Sequence, residues 1–307
     1  NEINSIIRNE IKMKINMIKA VMLVSCGWIL SACANHLPYT LDSHHVAKSQ
    51  DERIKYIILH YTDETEDASL RILSQGKVSA HYLVGQPRDG HKPIVYRLVP
   101  DYKRAWHAGL SNWRGRTNLN DSSIGIEIVN EGCQEQKREE DISIIGRCQP
   151  FDQMQIKAVL SILDQLVKRY QILPENIIGH SDIAPSRKID PGPLFPWQEL
   201  AEHGFGVWPD PKKVAYFLGN RSPKDLVDVR SLQELLFAFG YTGITQSGEL
   251  DVITKAALRA FQLHFRPSDI SGRPDAQTMA LLQALLIDRP AEPSSSQQHK
   301  DTYLPHP

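Results

Sequence analysis

The sequence has little net charge, few cysteines and no long apolar run. Its 307 residues carry a formal net charge of -1, with 23% charged residues and no basic cluster. That balance gives no electrostatic reason to expect a nucleic-acid partner. No HExxH pair occurs, which argues against a general zinc peptidase. No pair of carboxylates suited to glycosidic cleavage is evident, which argues against a muramidase. The apolar stretch at residues 20–30 is too short for a comfortable membrane span.

What is present begins near the N-terminus. From Met13 the chain reads MKINMIKAVMLVSCGWILSAC, a basic start with Lys14 and Lys19 followed by that short apolar stretch. This has the form of an export signal. Its end, Leu30-Ser31-Ala32-Cys33, resembles a bacterial lipobox, where small residues precede a cysteine that is lipidated. The resemblance implies a lipid on Cys33 as a membrane anchor. Ala34, where aspartate would mark retention, implies the periplasmic side of the outer membrane. Residues 1–12 fit none of this and are left out of the fold.

Of the four cysteines, Cys26 lies in the leader and Cys33 carries the expected lipid, which leaves Cys133 and Cys148. Export places them in an oxidising compartment, where a disulfide persists. A disulfide is the favoured reading. A zinc pair is disfavoured, because neither has a CxxC partner or a nearby histidine. The segment 134–147 between them starts polar and reads as an inserted loop.

Residues 54–60, IKYIILH, read as a buried strand, and 79–84, 94–99 and 124–130 as further strands. Residues 68–75 look helical. Residues 151–170 form an amphipathic helix with Ile156, Val159, Leu160, Leu163 and Val167 at helical spacing. Strands mixed with covering helices predict an α/β fold with a mixed sheet flanked by helices. A linker with one short helix follows. Residues 229–239, 254–265 and 276–287 are then three helical segments, expected to form a small domain with its own core. The Pro- and Ser-rich tail from 290 reads as disordered.

The stretch GHSDIAPSRKIDPGP, residues 179–193, shows no helical or strand period yet holds His180, Lys188 and Asp190. His60 stands at the carboxyl end of a strand, a usual place for site residues on α/β sheets. Two imidazoles and a carboxylate suit zinc with one position left open. Lys188 lies two residues from Asp190, so in extended backbone both project to the same side.

The ordered motifs LHYT, SAHYLV, AWHAG, SIGIEIVN and GHSDIAPSRKIDPGPLFPW resemble the zinc-dependent N-acetylmuramoyl-L-alanine amidases that share a fold with peptidoglycan recognition proteins. Within them the outer-membrane lipoprotein branch is most similar. The resemblance implies zinc ligands at His60, His180 and Asp190, a catalytic glutamate at Glu127 and a catalytic lysine at Lys188. It places His107, with Trp106, as substrate contacts in the Trp106-His107-Ala108-Gly109 loop. Residues 229–278 resemble a peptidoglycan-binding three-helix domain, which implies peptidoglycan and muropeptides as partners. The expected plan is a lipoprotein signal at 13–33, a tether at 34–52, a zinc amidase domain at 53–206, a linker at 207–223, a peptidoglycan-binding domain at 224–289 and a tail at 290–307. The implied reaction cleaves the amide between N-acetylmuramic acid and L-alanine in cell-wall turnover. The rival is a non-catalytic peptidoglycan-binding lipoprotein, which would typically lack a zinc ligand. His81 reads as structural. His36, His44, His45, His91, His203, His264, His299 and His306 read as surface residues.

Overall fold

The computed structural model describes residues 39–138, 141–287 and 289. The signal region 13–33 with Cys33, the start of the tether, the tail from 290, and His36, His299 and His306 lie outside the described residues. The chain divides into two units, Asn1–Asp51 and Glu52–Pro307. In the first, residues 39–51 are exposed and carry no helix or strand. No helix among the described residues is long and apolar enough to cross a membrane.

The run YIILHY is strand β1, Tyr56–Tyr61, and all six residues are buried. A strand apolar on both faces belongs in the middle of a parallel sheet covered on two sides. The neighbours agree. α1 is Glu66–Gln75, β2 is Tyr82–Val84, β3 is Val95–Arg97, β4 is Asn112–Trp113, β5 is Arg116–Thr117 and β6 is Ser123–Ile128. β7 is Cys133–Arg138, β8 is Asp141–Cys148, α2 is Gln153–Tyr170 and β9 is Ile177–Gly179. The main sheet runs β3-β2-β6-β1-β9. Its pairings are parallel except β2 with β3, which is antiparallel at the edge. This is the mixed sheet that the sequence predicts.

Side chains alternate across a strand. Ile57 and Leu59, with Ile124, Ile126 and Ile128, meet Ile156, Val159, Leu163 and Leu166 of α2. Asp152 caps that helix in a capping box with Gln155. Tyr56 and Ile58 face the other way, towards the side where the C-terminal helices pack.

Those helices follow the short α3, His180–Ile183, and α4, Trp197–Glu202. They are α5, Pro211–Leu218, then α6, Val229–Phe239, α7, Val252–Phe265, and α8, Ala276–Leu286. The three predicted helices are present, but the expectation that they have a core of their own does not hold. Leu232, Leu236, Phe239, Phe261 and Phe265 share one cluster with Tyr56, Ile58, Trp113, Leu119, Ile178 and Ile183. Trp113 meets the Phe239 ring at 5.9 Å and the Tyr241 ring at 5.1 Å, both edge-on. Each such buried side chain contributes about 1.5–3 kcal/mol. The seam is therefore a large part of the apolar burial that holds this unit together.

The segment between Cys133 and Cys148, expected as a loop, is instead the β7–β8 hairpin. The two cysteines oppose each other in register and form the expected disulfide. Gln134, Gly146 and Arg147 are exposed. A ribbon with so much surface in water has no reason to alternate polar with apolar, which is why its strands are hidden in the sequence. His264 corrects a second expectation, since it is 4% exposed rather than a surface residue.

Candidate active site

Three adjacent strands deliver three side chains to one level at the carboxyl end of the sheet. In register, His60 of β1 lies opposite Glu127 of β6. On the other side of β1, β9 ends at Gly179, and His180 opens α3 directly after it. The loop then returns, and the Asp190 carbonyl accepts from the Ser181 N–H at 2.9 Å. His60, His180 and Asp190 are all buried.

Their polar atoms converge. Nδ1 of His60 lies 3.0 Å from Nδ1 of His180 and 3.0 Å from Oδ2 of Asp190, and the His180 Nδ1 lies 3.1 Å from that same oxygen. The surrounding bonds fix where the protons are. His180 Nε2 is 3.1 Å from the Ala108 carbonyl, which can only accept, so Nε2 carries the proton and Nδ1 is a bare lone pair. For His60 the chain of reasoning is longer. The Ser123 hydroxyl donates to the Leu119 carbonyl at 2.7 Å. Its oxygen then accepts from His107 Nε2 at 3.2 Å. His107 Nδ1 is left to accept from His60 Nε2 at 3.0 Å. His60 Nδ1 is therefore a lone pair as well. Two lone pairs and a carboxylate oxygen face one another with no donor among them. This arrangement suits a cation of the zinc type, with two imidazole nitrogens and one oxygen.

The charges agree. Burial, then the unfavourable proximity of the His180 ring to a second positive charge, hold the His60 pKa down at about 4, so its ring is neutral and available as a ligand. Burial opposes ionisation of Asp190, yet contact with His180 and His60 keeps its carboxyl well below the ordinary range. Glu127 is the reverse case. Burial and the Asp190 charge push its carboxyl well above the usual value, with Lys188 opposing. Its Oε2 is buried without a hydrogen-bond partner.

A cavity of about 210 Å³ opens over these groups, lined among others by His60, Glu127, His180, Lys188, Asp190, Trp106 and Glu135. The five catalytic and metal residues expected from the sequence are thus brought together. Trp106 stands on the rim at 51% exposure, under the Arg104 guanidinium. His107 also lines the cavity; its ring is buried and its two nitrogens are engaged with His60 and Ser123, so it also holds the His60 ring in place. His81 is structural as expected: Nδ1 accepts from the Gly125 N–H at 3.0 Å and Nε2 donates to the Lys103 carbonyl at 3.1 Å.

Several contributors escape a sequence reading. Asn120 Oδ1 accepts from the N–H groups of His107 and Ala108, at 3.0 and 2.8 Å, and so holds the dipeptide that contacts both His60 and His180. Arg187 donates to the Ala108 carbonyl at 2.8 Å. Glu135 of the hairpin reaches the cavity and accepts from the Tyr61 hydroxyl at 2.9 Å. One signal was available. Gly125 interrupts an isoleucine strand, and a Cβ there would meet Cγ of His107 at 2.4 Å, so only glycine admits that ring.

The chain is similar to proteins already known. The family model for N-acetylmuramoyl-L-alanine amidase matches residues 50–193, and one for a peptidoglycan binding domain matches residues 226–282. The chain is 42% identical over 272 residues to the N-acetylmuramoyl-L-alanine amidase AmiD of Escherichia coli, covering 86% of this chain and 96% of that protein. It is 33% identical over 197 residues to the 1,6-anhydro-N-acetylmuramyl-L-alanine amidase AmpD of Enterobacter cloacae, covering 58% of this chain and 93% of the other. Among solved structures it resembles Escherichia coli AmiD bound to the substrate anhydro-N-acetylmuramic acid-L-Ala-D-gamma-Glu-L-Lys, with a TM-score of 0.73 and 44% identity over 81% of this chain and 95% of that one. It also resembles AmpDh3 of Pseudomonas aeruginosa in complex with anhydromuramic pentapeptide, with a TM-score of 0.70 and 35% identity over 81% and 97% of the two chains.

Proposed function

The chain belongs to the N-acetylmuramoyl-L-alanine amidases, and from that premise we propose that it works with one zinc ion held by His60, His180 and Asp190. It hydrolyses the amide between N-acetylmuramic acid and L-alanine in peptidoglycan or its fragments, as an enzyme of cell-wall turnover. The observation that carries the zinc reading is the triangle of three buried acceptors with no donor between them.

A bound zinc would supply Lewis acidity, polarising the scissile carbonyl and lowering the pKa of a water. The chain's own groups do the rest. Glu127 takes the proton of the attacking water and returns it to the leaving amine of L-alanine. Its burial favours the protonated form, so the proton is held until the amine can accept it. Lys188 sits in the same cavity and offsets the negative charge that gathers on the carbonyl oxygen. Trp106, half exposed at the rim, offers an apolar face to the glycan or stem peptide. Anhydro-muropeptides, the ligands of the AmiD and AmpDh3 complexes, are the fragments to test first.

Residues 226–282 bind peptidoglycan in this reading, supported by their family match. The lipobox pattern ending at Cys33 supports a lipid anchor on the periplasmic side of the outer membrane. Fractionation of cells carrying Cys33→Ala tests it: the variant is expected in the soluble fraction, and its persistence with the outer membrane would refute lipidation at this residue.

The test of the whole is metal analysis combined with mass spectrometry of products from anhydro-N-acetylmuramyl-L-Ala-D-γ-Glu-L-Lys. One zinc per chain and release of the intact tripeptide are expected. Full activity without zinc would sink the metal assignment, and a product cut elsewhere would sink the bond assignment.

A further inference from the structure

We propose that Asp182 is a positioning residue for the metal centre, and that the C-terminal helices set its position through Tyr241 and His264. The inference rests on His180 being a metal ligand.

Asp182 lies two residues after His180 and is 1% exposed. Its carboxylate has three donors. Oδ2 accepts at 2.8 Å from the N–H of Gly179, the residue immediately before His180. The same oxygen accepts from His264 Nδ1 at 2.9 Å. Oδ1 accepts from the Tyr241 hydroxyl at 2.6 Å. One donor is local, and the other two come from the helical region. Burial, then the Asp182 charge, raise the Tyr241 phenol well above its ordinary pKa, so it stays a donor.

His264 is shaped for this single contact. Its ring is stacked between Trp197, at 3.8 Å, and Phe265, at 4.0 Å. Its Nε2 is buried with no partner, so its described hydrogen bonding is spent on Asp182. The turn it grips has no slack. A Cβ at Gly179 would meet Pro191 Cδ at 2.8 Å and Asp182 Oδ2 at 3.3 Å. The Ser181 N–H bonds the Asp190 carbonyl, so both loop ligands hang on this turn.

A buried carboxylate is a costly way to fill a core, since apolar side chains of similar volume often do as well or better. What it adds is direction. Outer contacts that orient metal ligands are worth roughly 10- to 100-fold in metal affinity or activity when removed. Asp182 reaches the centre through the backbone at Gly179, and the helices reach Asp182.

The test uses the full-length protein with Tyr241→Phe, His264→Leu and His264→Asn, the last of which can place an amide donor where Nδ1 sits. Leu282→Ala is the control, a buried core residue of α8 whose apolar side chain makes no hydrogen bond to Asp182. Zinc affinity is read by chelator competition, ligand geometry by the visible spectrum of the cobalt-substituted protein, and turnover on a soluble anhydro-muramyl tripeptide. Tyr241→Phe and His264→Leu should each weaken zinc by about 10- to 100-fold, alter the cobalt spectrum and lower kcat more than they raise KM. His264→Asn should recover most of the loss. Leu282→Ala should lower the melting temperature and leave zinc affinity and spectrum unchanged. Tyr241→Phe removes one oxygen only, so it keeps the test open if His264→Leu does not fold. Wild-type zinc affinity and spectrum in Tyr241→Phe would overturn the inference alone, whereas a wild-type protein that binds no zinc would overturn the metal reading beneath it.

Discussion

Asp101 and Asp190 are both carboxylates buried in the same domain, at 2% and 6% exposure, and they keep opposite company. Asp101 is surrounded by donors: Tyr82 at 2.7 Å, Arg169 at 2.8 Å, Tyr170 at 3.0 Å and Arg97 at 3.5 Å. The Oδ2 of Asp190 faces two imidazole nitrogens whose protons are engaged elsewhere. A carboxylate closed by donors needs nothing further and ties sheet to helix. One ringed by acceptors is stable only with a cation in their midst. Donor count, not burial, separates the residue that holds the fold from the one suited to hold an ion.

Exchanging the two effects is the sharpest way to break this comparison. Asp190→Ala should abolish activity and leave the purified protein without zinc, because two imidazoles alone rarely hold zinc in a catalytic site. Asp101→Ala should keep one zinc per chain. Zinc retained by Asp190→Ala, measured by elemental analysis, would end the distinction. Glu127→Ala comes next. With metal content unchanged, kcat should fall by roughly 10²- to 10⁴-fold as the proton shuttle is lost. Near-wild-type turnover per bound zinc would remove Glu127 as the base.

Lys188→Ala should lower kcat by about 10²-fold. It should also move the pH profile. Lys188 holds the Glu127 carboxyl down against burial and Asp190, so its removal raises that pKa. The base works when deprotonated, and the acidic limb of kcat/KM should therefore shift to higher pH. A profile that keeps its position while kcat falls would show that the lysine acts on the oxyanion without touching Glu127.

The smallest effect is expected at Asp101. Asp101→Ala should cost about 1–3 kcal/mol, since Tyr82 and Tyr170 lose a partner while both arginines stay half exposed. Burial opposes ionisation of Asp101, but hydrogen bonds from Tyr82 and Tyr170 and the charges of Arg97 and Arg169 outweigh it and lower the pKa. A lowered carboxyl pKa stabilises above the unfolded value and loses that contribution as pH falls through the folded one. Wild type and variant should thus converge in chemical denaturation towards acid pH. A gap that stays constant below the ordinary carboxylate range would assign the difference to packing.

The sequence made the proposed ligands legible because each sits at a point where local pattern changes. His60 ends an apolar strand, and His180 and Asp190 interrupt a stretch without a period. The helices were legible for the same reason, since their apolar spacing is local. What escaped was set by distant partners. His107 reads as a loop residue, and only Gly125 on a strand beyond it makes room for its ring. His264 belongs to a helix whose residues from Ala256 to Phe265 are all buried. A helix covered on every side has no polar face, so Arg259, Gln262 and His264 imitate one and give a misleading reading. The seam around Trp113 escaped because its partners lie more than a hundred residues further along the chain.

That seam also has a direction in time. A chain is made from its N-terminus, so the residues of the sheet that bears His60 and Glu127 are made before residues 229–286. Until they follow, Tyr56, Ile58 and Trp113 have nothing to pack against from Leu232, Phe239 or Phe261. Contacts this remote in sequence form late, because the intervening loop must be closed first. The last helices are therefore the part whose contacts close the amidase core.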